Sequence, residues 1–150
     1  MNVTEHFTLR ELTHSDVALR QGIDNTPSPE VADALTKLAA HILEPVRQHF
    51  VTPFSPSSGY RCIKLNRLIG SNDNSQHVKG QAVDFKIPGN DNYDIAFWIY
   101  QNLDFDQIIL ECYTPGDPQS GWVHCSYVET GNRKDVLTYT GREYLHGLIS

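Results

Sequence analysis

His77 and Asp84 stand seven positions apart in NSQHVKGQAVDFKI, residues 74 to 87, with Gly80 between them. Alone they are either half of a metal site or a loop histidine ahead of a strand. His124, in GWVHCSYV, can supply a further donor, and Glu111, in FDQIILECY, a base. Two imidazoles and one carboxylate suit zinc, which takes N and O donors at about 2.0–2.2 Å. Three protein ligands leave a fourth position for water, the pattern of catalytic rather than structural zinc. Zinc lowers the pKa of that water toward about 7, and a neighbouring carboxylate can take its proton. Glu111 is the candidate base.

This chemistry requires that the four side chains reach one place. AVDFKI (82–87) alternates: Val83, Phe85 and Ile87 share one face, and Asp84 lies on the other. FDQIILECY (105–113) and GWVHCSYV (121–128) are the strongest strand signals, and the turn formers TPGDPQS between them predict a hairpin. Its closure brings Glu111 near the level of Trp122 and His124, with Gln107 and Ile109 on the same side. Ile108, Leu110, Cys112, Val123, Cys125 and Tyr127 form the opposite, core-facing set. Three strands thus each place one metal-competent residue on the non-core face. His77 belongs to the loop feeding the first strand, and Gly80 gives that loop freedom to fold back.

Each residue has a plainer reading. Asp84 could be solvated on an open face, and Glu111 could guard a strand edge. Taken together these readings are weak, since all four residues would be polar on one side by accident. Trp122 either walls a substrate groove or packs as a structural aromatic. His6, His14, His41, His49 and His146 lack a convergent carboxylate pattern and read as surface or satisfied residues.

Elsewhere TLRE (8–11) fits a capping box ahead of a short helix. GIDNTPSP is turn chemistry ending in Ser28 as N-cap and Pro29 at the first helical position. Val31, Leu35, Leu38, Ile42, Val46 and Phe50 then predict an amphipathic helix bent near Pro45. TPFSPSSGYR (52–61) is rich in breakers, with room for one short strand. IKLNRLIG reads as a short helix stopped by Gly70, NDNYDIAFWIYQNL as a helix with an Asx cap, and DVLTY as a further strand. The result is one α+β domain without repeats or linkers.

The 150 residues carry 12 Lys+Arg against 18 Asp+Glu, a formal charge of −6, with no basic stripe to favour nucleic acid. No apolar run approaches the roughly 20 residues of a membrane span. MNVTEHFTLREL lacks the basic and apolar regions of a secretory signal, which predicts synthesis in the cytoplasm. Three cysteines, Cys62, Cys112 and Cys125, without CxxC spacing, argue against a disulfide framework or thiolate zinc site. Alternation turns Cys112 and Cys125 toward the core.

The run Ser75-Gln-His77-Val-Lys-Gly80-Gln-Ala82-Val-Asp84 resembles the S-x-H-x-x-G-x-A-x-D signature of zinc D-Ala-D-Ala carboxypeptidases and related peptidoglycan peptidases. SSGYR (57–61) followed by LN (65–66), and the strands FDQIILE and GWVHCSY, are similar to the same family's segments. FTLRELTHSDVALRQGIDNTPSPEV and ILEPVR resemble its phage and prophage, endolysin-type members. The resemblance implies a hedgehog/DD-peptidase-like fold over residues 1–150: a small, mainly antiparallel sheet with N-terminal helices on one face. It implies one zinc ion held by His77, Asp84 and His124, with peptidoglycan stem peptides as substrate for a D,D-carboxypeptidase or endopeptidase. Arg61 would stabilise the oxyanion or grip a substrate carboxylate, although it could instead pair with a surface acid. Ser75 would line the site, bonding a ligand or the substrate; Gln107 and Trp122 are further substrate contacts. Some relatives carry the catalytic acid three residues before the last histidine, where this chain has Gly121. Glu111 therefore takes that role, with Asp117 in the hairpin loop as the alternative. A monomer reaching the wall after lysis or virion delivery fits this picture. A zinc-bearing binding domain and a virion structural part are its rivals.

Overall fold

Strand alternation decides which face of the sheet is dry. In a computed structural model describing residues 2–149, Val83 and Phe85 of β1 (Ala82–Phe85) are fully buried. So are Ile108 and Leu110 of β2 (Gln107–Glu111), and Val123 and Cys125 of β3 (Trp122–Ser126). β4 (Asp135–Tyr139) and β5 (Tyr144–His146) complete a five-stranded sheet in the order β1-β3-β2-β4-β5. All pairs are antiparallel except β2 with β4. Helices cover the apolar face, and Leu35, Leu38, Ile42, Val46, Ile95 and Ile99 join the strand residues in one core. The expected α+β class and mainly antiparallel sheet are therefore present.

Local caps explain where the helices start. Thr8 and Glu11 form the expected reciprocal capping box at α1 (Leu9–Thr13). Ser28 caps α3 (Pro29–Leu38), and Asp91 caps α6 (Asn92–Asn102). α5 (Ile63–Leu68) ends two residues before Gly70, which has φ 83°. The expected bend near Pro45 takes a particular form: a π turn, Ala39–Leu43, separates α3 from α4 (Glu44–Phe50). Proline cannot donate to the helical ladder and its ring crowds the carbonyl four residues back. The widened turn absorbs this, with the Glu44 N–H reaching Ala39 O, five residues back.

Several elements differ from the sequence expectation. A short helix, α2 (Asp16–Gln21), capped by Ser15, and strand β5 were not anticipated. TPFSPSSGYR forms no strand beyond a single bridge from Ser58 to Asp84. Cys112 is not a core residue: β2 stops at Glu111, Cys112 turns to φ 56°, and the side chain is half-buried. Alternation cannot be extended past a residue that leaves extended geometry.

The N-terminus is tied to this core through Glu44. Its buried carboxylate accepts the His6 N–H at 2.8 Å and faces His6 Nδ1 at 2.7 Å. Burial would raise the carboxyl, but these bonds, with support from Gln48, hold it at about 2. A depressed carboxylate stabilises the fold above its unfolded pKa, and the contribution is lost as pH falls through the folded value. Glu44→Gln is therefore expected to cost about 1–3 kcal/mol near neutral pH. Denaturant melts of both proteins should show that difference closing between about pH 4.5 and pH 2. A difference constant across that range would contradict the assignment.

Candidate active site

Asp84 sits directly opposite His124 across the β1–β3 ladder. Its backbone is clamped from the other side as well: the Asp84 N–H donates to Ser58 O at 2.8 Å, and Asp84 O accepts the Ser57 N–H at 2.9 Å. The carboxylate lies 2.9 Å from His124 Nδ1 and 3.4 Å from His77 Nε2. Burial alone would raise its pKa, but the two imidazoles hold it well below the usual carboxylate range.

His77 reaches this point from a looped segment. Gly80 has φ 71° and its α-carbon presses on α3, where a Cβ would stand 2.9 Å from both Val31 Cγ1 and Val31 O. Ser75 Oγ accepts the His77 N–H at 3.2 Å, tightening the turn. His77 Nδ1 donates to Gly59 O at 2.7 Å; since a carbonyl only accepts, Nδ1 carries the proton and Nε2 is left for the site. Gly59 is itself fixed by α1: a Cβ there would meet Leu12 O at 2.3 Å, and the Tyr60 N–H donates to that same oxygen.

One ligand atom each from His77, Asp84 and His124 lies within 4.8 Å of the others. Two nitrogens and one carboxylate oxygen, one nitrogen oriented by an outer hydrogen bond, fit zinc by donor chemistry. Glu5, His6 and Glu44 form a second such group, contrary to the expectation that His6 lacks a carboxylate partner. The reason is chain distance: Glu44 is 38 residues away, and the contact already serves as a hydrogen bond.

The donors open into a cavity of about 780 Å³ that is also lined by Arg61, Ser75, Gln107, Glu111 and Trp122. Asp117, the alternative base, is exposed in the hairpin turn and does not line it. Trp122 Nε1 donates to Glu111 Oε2 at 2.9 Å. Burial and the Asp84 charge push the Glu111 carboxyl up, against opposing effects of His124, the Trp122 bond and Arg61. A raised carboxyl suits a group that must take and return a proton. Arg61 is held by Nε on Asn66 Oδ1 at 3.0 Å and by Nη1 on Ser58 Oγ at 2.9 Å. Burial lowers its pKa, while Asp84 and Glu111 favour the charged form.

Gly121 has a structural cause. Its φ is 63°, and a Cβ would fall 1.8 Å from Glu111 O. No side chain fits there with this backbone, and on the facing strand Glu111 pairs with Trp122.

Other residues at or behind the cavity wall escaped the sequence reading. Asn66, fully buried, orients Arg61 and is fixed by donating to Asn72 O at 2.8 Å; its only sequence signal was the LN pair. Tyr139 pairs with Glu111 across β2–β4, and the Tyr144 ring lies tilted against that of Tyr139, with centroids 4.5 Å apart. Period two could have found Tyr139 once β4 was paired with β2. Arg133 also lines the cavity and carries no local signal.

A family model described as Peptidase M15 matches residues 5–126. The chain belongs to the peptidase M15 family. Comparison with curated proteins finds no match. Membership supports a metallopeptidase, and the His77, Asp84 and His124 arrangement is a possible metal site of that class. The matched span ends with β3, so β4 and β5 lie beyond it. Among the described residues, no helix is long and apolar enough to cross a membrane.

Zinc titration of metal-free protein is expected to reveal one tight site and to raise the melting temperature. At free zinc 100-fold above Kd the gain is about 2.7 kcal/mol. His124→Ala should abolish both effects; an unchanged zinc-dependent shift in that variant would contradict the ligand set.

Proposed function

We propose that this protein is a zinc-dependent peptidase that hydrolyses amide bonds in peptidoglycan stem peptides, as a D,D-carboxypeptidase or endopeptidase. The observation that carries the reading is the convergence of His77, Asp84 and His124 in a cavity that also holds an anchored carboxylate and an anchored guanidinium. His77, Asp84 and His124 would hold the ion. When bound, zinc supplies a Lewis acid that polarises a carbonyl and acidifies water. Glu111 accepts the proton of the attacking water and returns it to the leaving amine. Trp122 holds one Glu111 oxygen and leaves the other for the proton. Arg61 has two nitrogens fixed and offers Nη2 to the oxyanion that develops on the scissile carbonyl. Ser75 acts through the loop, by orienting His77, and Gln107 and Trp122 bound the groove.

A catalytically silent binding domain has no use for a proton acceptor beside the donors, so Glu111 favours the enzyme. The resemblance to endolysin-type phage and prophage members supports action on the wall after synthesis in the cytoplasm, through release or virion delivery.

Purified protein incubated with defined muropeptides, with products separated by chromatography, is expected to cleave one stem-peptide amide and to stop when chelator removes the metal. Glu111→Gln should lower kcat by about 10²–10⁴. Activity that survives chelation, or an intact kcat in Glu111→Gln, would overturn the mechanism. Trp122→Phe gives a directional test. Removing a donor to the ionised carboxylate raises the Glu111 pKa, so the acidic limb of the kcat/KM profile should move to higher pH. A limb that stays in place or moves down would separate Trp122 from the base.

A further inference from the structure

Arg133 lies outside the family-matched span yet borders the same cavity. Its setting differs from an ordinary surface ion pair. Asp106 is buried, and its carboxylate takes the Arg133 N–H at 3.0 Å, Nε at 3.1 Å and Nη2 at 2.8 Å. Gln76, the neighbour of His77, donates to the same carboxylate at 3.0 Å. The Arg133 side chain itself is 56% exposed. The guanidinium plane is thus fixed on one edge, and among the described residues Nη1 has no hydrogen-bond partner. The nearest carboxylate in sequence, Asp135, accepts from Gln107 Nε2 at 2.8 Å and acts on Arg133 through its charge, without a hydrogen bond to it.

We propose that Arg133 is a specificity-determining residue that holds a carboxylate of the peptide substrate at the Gln107 end of the groove. This inference rests on the peptidase reading. Register fixes the place: His124 pairs with Ile109, while Gln107, two residues earlier on β2, pairs with Asp135 on β4. At about 3.3 Å per residue the two levels are roughly 7 Å apart, the reach of two residues of extended peptide. Tyr139, Tyr144 and Trp122 line the cavity at the Glu111 level, and among the described residues they bring no cation there. Arg61 stands beside the donor set, between Asn66 and Ser58, and in the peptidase reading serves the reacting carbonyl. Arg133 is the remaining cation of the cavity, and its forked group is oriented before substrate arrives, so little side-chain entropy is lost on contact. A carboxylate at that distance is either a free C-terminus or an acidic side chain of the stem peptide. Both present the same chemistry to Nη1.

Four matched peptides separate these sources: both carboxylates free, the terminal one amidated, the side-chain one amidated, and both amidated. Kd is measured by calorimetry on zinc-loaded Glu111→Gln protein, and KM and kcat on the zinc-loaded wild type. Amidating one of the two carboxylates is expected to raise Kd and KM about 10- to 100-fold while kcat changes little. The peptide that responds identifies the source. In Arg133→Lys, whose ammonium is retained by Asp106, the discrimination should vanish; Asp106→Asn/Arg133→Gln, which leaves no buried charge, serves if the lysine variant does not fold. Equal Kd for all four peptides, or discrimination that persists in the variants, would overturn the inference. If the wild type cleaves none of them, the peptidase reading falls, and binding of the same peptides to the wild-type protein still decides the role of Arg133.

Discussion

A carboxylate kept ionised in a nearly dry position is the constraint around which this fold is organised. Asp84 has a side chain only 14% exposed, and burying such a charge costs several kcal/mol unless partners answer it. Two imidazole nitrogens answer it, and each is delivered by a different part of the chain. His124 comes by strict register from β3, and His77 from a loop whose shape depends on Gly80 against α3. His77 is oriented in turn by Gly59 O, and Gly59 rests on the end of α1. The N-terminal helices therefore support the site as well as the core, because displacing α1 or α3 would move an imidazole.

The periodicity that buries one face of the sheet also gathers the candidate site residues on the other. This is why so much of the site was legible in residue types: Val83/Asp84 and Val123/His124 are adjacent pairs divided by one pleat, and the β2–β3 hairpin set Glu111 beside Trp122. The helix starts were legible because Thr8, Ser28 and Asp91 satisfy orphan N–H groups through local bonds. What escaped depends on contacts distant in sequence or on backbone geometry without a residue signature. The parallel pairing of β2 with β4 brings Tyr139 to the groove, and no local pattern encodes it. The positive φ of Cys112 ends an alternation that residue types suggest should continue. The His6–Glu44 pair joins residues 38 positions apart. The π turn before Pro45 was foreseen only as a bend, since proline dictates the missing bond and leaves the ladder to choose how to accommodate it.

The two arginines of the cavity share a design. Arg61 has Nε and Nη1 fixed by Asn66 and Ser58, and Arg133 has Nε and Nη2 fixed by Asp106. Each is braced by a residue outside the donor set, and each has one terminal nitrogen without a hydrogen-bond partner among the described residues. Arg61 belongs to the family-matched span, whereas Arg133, Tyr139 and Tyr144 are carried by the segment after β3. In this reading the matched region carries the hydrolytic chemistry and the C-terminal strands select what is cut. Glycine at position 121 has a steric cause, because its close approach to Glu111 O leaves no room for a side chain.

X-ray absorption at the zinc edge of the loaded protein tests the central claim most directly. The account predicts a shell of N and O scatterers at about 2.0–2.1 Å with the outer signature of two imidazoles. A sulfur contribution at about 2.3 Å, or a shell with fewer than two imidazoles, would contradict the centre formed by His77, Asp84 and His124.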